Sequence, residues 1–253
     1  MRRTALRYGS QHAQLADLWW PDGPQGDLPV VALIHGGFWR QIYTKRLMHP
    51  LAKALVTHGW AVCNVEYRRV GLGGSGGWPA TFDDVSAALN ALATVDGLDL
   101  TRVLTCGHSA GGHLALWLAG MRTTSSSPEP GAQPVRVRAA ISLAGVADLD
   151  VAARTHLGGG AAVALMGGSP DDLPDVYRLG SPAAQLPLGV PQHLIHGLDD
   201  ATVPPSMSAE YVERAVASGD DAVFVPVAGA GHMDMIKPGG RAAAEILAVL
   251  DRF

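Results

Sequence analysis

The sequence predicts an α/β fold, a mostly parallel sheet with helices on both faces, and three observations carry that prediction. Short apolar runs rich in β-branched residues recur along the chain, helical patterns separate them, and the runs are nearly continuous in hydrophobicity, as in strands covered on both faces. Alternation of strand and helix favours parallel pairing, with functional residues gathered at the carboxyl ends of the strands.

In chain order, "QLADLWWPDGP" reads as an exposed strand ending in a Pro-Gly turn, so the sheet is expected to begin with one or two antiparallel edge strands. Apolar strands follow at 29–35, 60–67, 102–107, 138–145, 191–197 and 222–229. Helical patterns occupy about 44–58, 81–94, 111–121, 205–218 and 238–252. The segment at about 148–190 is rich in Gly, Pro and Asp and breaks the rhythm, which suggests a cap-like insertion over the sheet's edge. A polar, Pro-rich stretch at 123–134 suits a mobile surface connection. No internal repeat is visible.

The 253 residues suit one domain spanning 1–253, and 47% hydrophobic against 17% charged residues is a globular balance. A formal charge of −4 argues against a surface for nucleic acid. No apolar segment follows the N-terminal arginines as a secretory leader would need, and no uncharged run reaches the roughly 18 residues of a membrane span, so a soluble, cytoplasmic protein without a membrane partner is expected. Length, charge and pattern leave the oligomeric state open, a homodimer among the options. Cys63 and Cys106 lie in apolar strand candidates, where a buried free thiol is the ordinary finding.

Gly107-His108-Ser109-Ala110-Gly111 fits G-x-S-x-G between a strand and a helix candidate. The flanking glycines have a steric purpose, because a serine at the tip of so tight a turn leaves no room for side chains two positions away. The turn pushes the hydroxyl out at the head of a helix, where the N–H of Ala110 and the helix dipole can stabilise an oxyanion. In a chain with 31 glycines the pattern alone arises by chance, so its context decides.

A serine nucleophile needs a base, and with this elbow the chain order is Ser, then Asp or Glu, then His. Of ten histidines only His232 lies beyond residue 200, in "AGAGHMDM", between the last strand and the last helix. For the acid, "HLIHGLDDATVP" offers Asp199 and Asp200 directly after a strand, and Asp148 follows another. "LIHGGFWR" supplies Gly36, Gly37 and Phe38 in an H-G-G loop whose backbone N–H groups complete the oxyanion site, with His35 holding the loop by hydrogen bonds.

Together "HGGFW", "GHSAGGHLA", "HGLDDATVP" and "GAGHMD" resemble an α/β-hydrolase of the esterase and lipase type over roughly residues 28–253. Trp39 in place of a third glycine makes the loop similar to that of arylformamidases (kynurenine formamidases) and of small bacterial carboxylesterases. The resemblance implies an eight-stranded sheet and a triad of Ser109, Asp200 and His232. It favours Asp200 over Asp199 because the acid stands four residues after the histidine of H-G and three before V-P, as His196, Asp200, Val203 and Pro204 do here. In that fold a further strand separates Cys63 from Cys106, leaving them about 9–10 Å apart, too far for a disulfide.

Trp39, Trp78 and His108 are the expected pocket lining. Gly71, Gly73 and Gly76 form G-x-G-x-x-G, yet they lead into Trp78-Pro79 and no acidic residue ends the next strand, so a dinucleotide site is not expected. His108 with His113, and His193 with His196, do not converge on one ion, so neither metal nor cofactor is expected. The expected activity is hydrolysis of a small-acyl carboxylic ester or an amide through an acyl-enzyme, with N-formylkynurenine as the alternative substrate. A non-catalytic binding protein on a hydrolase fold is the alternative of another class.

Overall fold

The computed structural model describes residues 1–23, 26–121 and 135–253. The polar connection expected at 123–134 lies outside the described residues. Among the described residues the eight strands are β1 (Arg2–Arg7), β2 (Leu15–Trp20), β3 (Leu28–Ile34), β4 (Ala61–Val65), β5 (Leu98–His108), β6 (Ala139–Leu143), β7 (Gln192–Gly197) and β8 (Ala222–Val227). They form one sheet in the order β1-β2-β4-β3-β5-β6-β7-β8. β1 pairs antiparallel with β2, and β2 antiparallel with β4, at the N-terminal edge, while the remaining pairings are parallel, as the sequence predicts. β1 is exposed and carries Arg2, Arg3 and Arg7, the charged side chains that guard an open sheet edge against pairing with another chain.

The helices among the described residues are α1 (His49–Thr57), α2 (Ala80–Asn90), α3 (Ala110–Gly120), α4 (Leu149–Arg154), α5 (Leu157–Met166), α6 (Pro174–Gly180), α7 (Pro205–Ala217) and α8 (Arg241–Leu250). Strand periodicity divides the core. Val30, Ala32 and Ile34 of β3 pack with α2 and α3, while Val31 and Leu33 pack with α1 and α8 on the opposite face. Covering both faces is what makes β3, β4 and β6 read as nearly continuous apolar runs. α3 is buried from Ala110 to Ala119, consistent with its Gly, Ala and Leu content: a helix under this much cover has no polar face to show.

The irregular segment is more ordered than its composition suggests, since α4, α5 and α6 occupy most of it. Each is kept short by a local device. Asp148 caps α4 through the N–H groups of Asp150 and Val151. Gly158, Gly159 and Gly160 are left-handed and confine regular helix in α5 to the residues after them, and Pro174 opens α6. Ala161, Ala162, Leu165, Met166 and Tyr177 from this segment join the core on the α2/α3 face. Cys63 in β4 and Cys106 in β5 are free and buried, with β3 between them. No helix among the described residues is long and apolar enough to cross a membrane.

Candidate active site

β3 sends its chain through α1 to β4 on one side, and β5 sends its chain through α3 to β6 on the other, so the loops leaving β3 and β5 part at adjacent strand ends. Such a reversal opens a crevice at the carboxyl edge. The register aligns that edge across the sheet: Ile34 faces Gly107, His108 faces Leu143, Leu143 faces Ile195 and Gly197 faces Val227. The loops bearing Ser109, Asp200, His232 and Gly37 all leave from it.

Ser109 stands between β5 and α3 with φ 56° and ψ −120°, a conformation that costs a non-glycine residue about 1–3 kcal/mol. Neighbours hold it there: its N–H donates to the Leu143 carbonyl at 2.8 Å, and its carbonyl accepts from His113 at 3.2 Å and Val146 at 3.3 Å. A Cβ on Gly107 would come within 2.0 Å of the Gly111 carbonyl, and one on Gly111 within 2.1 Å of the Ile34 carbonyl. Both glycines of the motif are therefore demanded by backbone contact.

Asp200, in the loop after β7, is buried and fully engaged. Oδ1 accepts the N–H groups of Thr202 at 2.7 Å and Val203 at 3.0 Å. Oδ2 accepts from His232 Nδ1 at 2.7 Å and from His196 Nε2 at 3.1 Å. Burial pushes this carboxyl up, yet the four hydrogen bonds outweigh it and hold Asp200 well below the usual carboxylate range. Of the other acid candidates, Asp199 is exposed, and Asp148 is committed to capping α4 and to an ion pair with Arg214 at 2.7 Å. In the sequence His196 is only a motif marker; its contact to Asp200 forms when the turn folds the two together, and its second nitrogen meets Ser208 Oγ at 2.7 Å.

With Nδ1 bound to Asp200, Nε2 of His232 has no hydrogen-bond partner among the described residues. Among the described residues no hydrogen bond links Ser109 Oγ to it; the halves of the site meet through His108. The His108 Nε2–H donates to the His232 carbonyl at 3.0 Å, and the two rings lie 4.5 Å apart. Burial, reinforced by His232, pushes the His108 imidazole down to about 3.

The loop after β3 closes over Ser109. A Cβ on Gly36 would stand 2.9 Å from Ser109 Cβ and 2.7 Å from the His108 carbonyl. Gly37, Phe38 and Trp39 then take three successive positive φ values of 113°, 52° and 55°. Among the described residues the N–H groups of Gly37 and Phe38 have no hydrogen-bond acceptor, and Ala110 occupies the first position of α3, where intrahelical acceptors are lacking.

Of the side chains expected to line the pocket, Trp39 and His108 are each 1% exposed. The left-handed turn folds Trp39 back into the core, edge-on to His113 at 5.3 Å. Trp78 is half-buried and edge-on to Phe82 at 4.8 Å. Phe38, also half-buried, lies under the Arg40 guanidinium and against Gly158, whose carbonyl accepts from Arg40. Among the described residues no group of three His, Cys, Asp or Glu side chains is placed to hold a metal ion.

Kynurenine formamidase of Danio rerio is 24% identical over 234 residues, which are 91% of this chain and 74% of that protein. A truncated carbohydrate esterase from gut microbiota superposes with a TM-score of 0.82 at 21% identity, covering 98% of this chain and 95% of its own. Thermogutta terrifontis esterase 2 phosphorylated by paraoxon superposes with a TM-score of 0.77 at 20% identity, covering 99% and 92%. Residues 16–214 match the BD-FAE family model, and the chain therefore belongs to that family, as an α/β-hydrolase of the esterase type.

Proposed function

We propose that the protein is a serine hydrolase that cleaves carboxylic esters of small acyl groups, with Ser109, His232 and Asp200 as its triad. The observation that carries the reading is the 2.7 Å bond from His232 Nδ1 to a buried Asp200 carboxylate. A carboxylate so placed fixes the tautomer that leaves Nε2 as proton acceptor and stabilises the imidazolium that forms.

In the first step Nε2 of His232 takes the Ser109 hydroxyl proton as Oγ bonds to the ester carbonyl carbon. The carbonyl oxygen becomes an oxyanion held by the N–H groups of Ala110 and of Gly37 or Phe38. Collapse expels the alcohol, protonated by His232, and leaves an acyl-serine. Water, deprotonated by His232, then releases the acid. Among the described residues no bond joins Ser109 to His232; such catalytic hydrogen bonds commonly tighten only when substrate draws the pair together. The esterase phosphorylated by paraoxon supports the reading, because organophosphates modify an activated nucleophile.

The likeness to a kynurenine formamidase and the H-G-G-F-W loop favour a second substrate, an aryl formamide, for the same machinery. Comparing kcat/KM for N-formylkynurenine with that for p-nitrophenyl acetate decides between them. Treatment with paraoxon tests the chemistry itself: a diethylphosphoryl adduct on the Ser109 peptide is expected, and folded protein that takes none is a binding protein on a hydrolase fold.

A further inference from the structure

Glu66, directly after β4, is an acidic side chain that the sequence motifs leave unused, and it is almost completely buried. Its carboxylate joins the two ends of the loop that bears the oxyanion donors. Oε1 accepts from His35 Nε2 at 2.9 Å, at the loop's start, and Oε2 accepts the Lys45 N–H at 3.0 Å, at its end. Arg69 binds the same Oε1 and donates to the Tyr43 carbonyl at 2.6 Å, so the carboxylate and its counter-ion together span the loop. His35 stacks on Tyr67 at 4.4 Å, and the Tyr67 hydroxyl returns to the His35 carbonyl at 2.9 Å. Burial works to raise the Glu66 carboxyl, but the bond from His35, the His35 and Arg69 side chains and the Lys45 N–H hold it below the usual range.

Between these anchor points lie the three residues with positive φ, two of them not glycine. Such a run persists only where its surroundings over-determine it. We propose that Glu66 is a positioning residue of the oxyanion site, a single carboxylate that ties His35 to Lys45 and so sets the direction of the Gly37 and Phe38 N–H groups. The proposal rests on the serine-hydrolase reading above. It predicts an effect on the transition state more than on substrate binding, because oxyanion donors bind what the carbonyl becomes.

The test uses Glu66→Gln, which keeps the shape and removes the charge, with kcat expressed per active site titrated by paraoxon so that unfolded protein is not counted. The expected result is a fall in kcat of about 10- to 100-fold with KM changed less than about 3-fold. His35→Gln cuts one tether alone and should lower kcat by a smaller factor, also with KM kept. It serves as the deciding variant if Glu66→Gln does not fold. In the double variant the two factors should combine to less than their product, since both act on one loop. An unchanged kcat per site, a loss confined to KM, or a full product of the two factors overturns the proposal. A parent protein with neither esterase turnover nor paraoxon adduct overturns the serine-hydrolase reading, and does so before any Glu66 variant is measured.

Discussion

The Asp200 oxygen that holds His232 at 2.7 Å also holds His196 at 3.1 Å, so a second imidazole supports the carboxylate from inside the fold. Under the proposed mechanism Asp200→Asn should lower kcat by about 10⁴, because the amide can present N–H to Nδ1 and select the wrong tautomer. His196→Gln, one step removed, should cost about 10-fold. Steady-state kinetics on p-nitrophenyl acetate reads both effects, and a larger loss from His196→Gln than from Asp200→Asn contradicts the assignment.

The strain at Ser109 predicts a conflict between activity and stability. Ser109→Gly should be inactive yet more stable than Ser109→Ala by about 1 kcal/mol, since glycine accepts positive φ without a Cβ clash. In a chain of this size that is about 2–4 °C in Tm by calorimetry. Gly107→Ala should destabilise by at least about 3 kcal/mol, because its Cβ would stand 2.0 Å from a backbone oxygen that cannot yield.

Buried histidines set the acid limb of stability. Burial, with the neighbouring His232, pushes His108 down to about 3, and burial pushes His113 down to about 4, so both stay neutral in the fold while the unfolded chain takes up protons below about pH 6.5. The unfolded state then binds more protons, and stability falls as pH drops through that window by up to about 1.4 kcal/mol per pH unit for each group. Urea unfolding of the parent and of His113→Gln between about pH 4.5 and 6.5 should give the variant the shallower slope. Equal slopes contradict the burial argument.

The α4–α6 segment reaches the loop after β3 through Arg40, Phe38 and Gly158. A Cβ on Gly158 would lie 2.3 Å from the Phe38 ring, at a residue whose φ is 61°. Gly158→Ala should therefore displace Phe38 and lower kcat about 10-fold while Asp200 and His232 stay paired. The paraoxon-reactive site count should be unchanged and the turnover per site reduced.

What the sequence made legible follows the range of the interactions. The strands, the alternation and the strand-turn-helix at Ser109 are encoded locally, by apolar runs and by glycines at fixed spacing, and all are where they were expected. Motif spacing favours Asp200 over Asp199, and the fold buries the first and exposes the second. Contacts between distant segments left little trace. Glu66 is a single acidic residue after an apolar run, and its link to His35 and Lys45 exists only once β4 lies beside β3. Trp39 was expected on the pocket wall because it adjoins the loop, but three left-handed residues turn its ring inward. α5 and α6 are hidden in the sequence by the glycines and prolines that shorten them.

The most direct test of the central claim is the turnover of p-nitrophenyl acetate by Ser109→Ala against the parent protein, with folding checked by thermal melting. The account predicts a fall in kcat of about 10⁶, the scale seen when the serine of a triad is removed. A folded Ser109→Ala that keeps even a tenth of the parent turnover contradicts it, and places the hydrolysis on other residues.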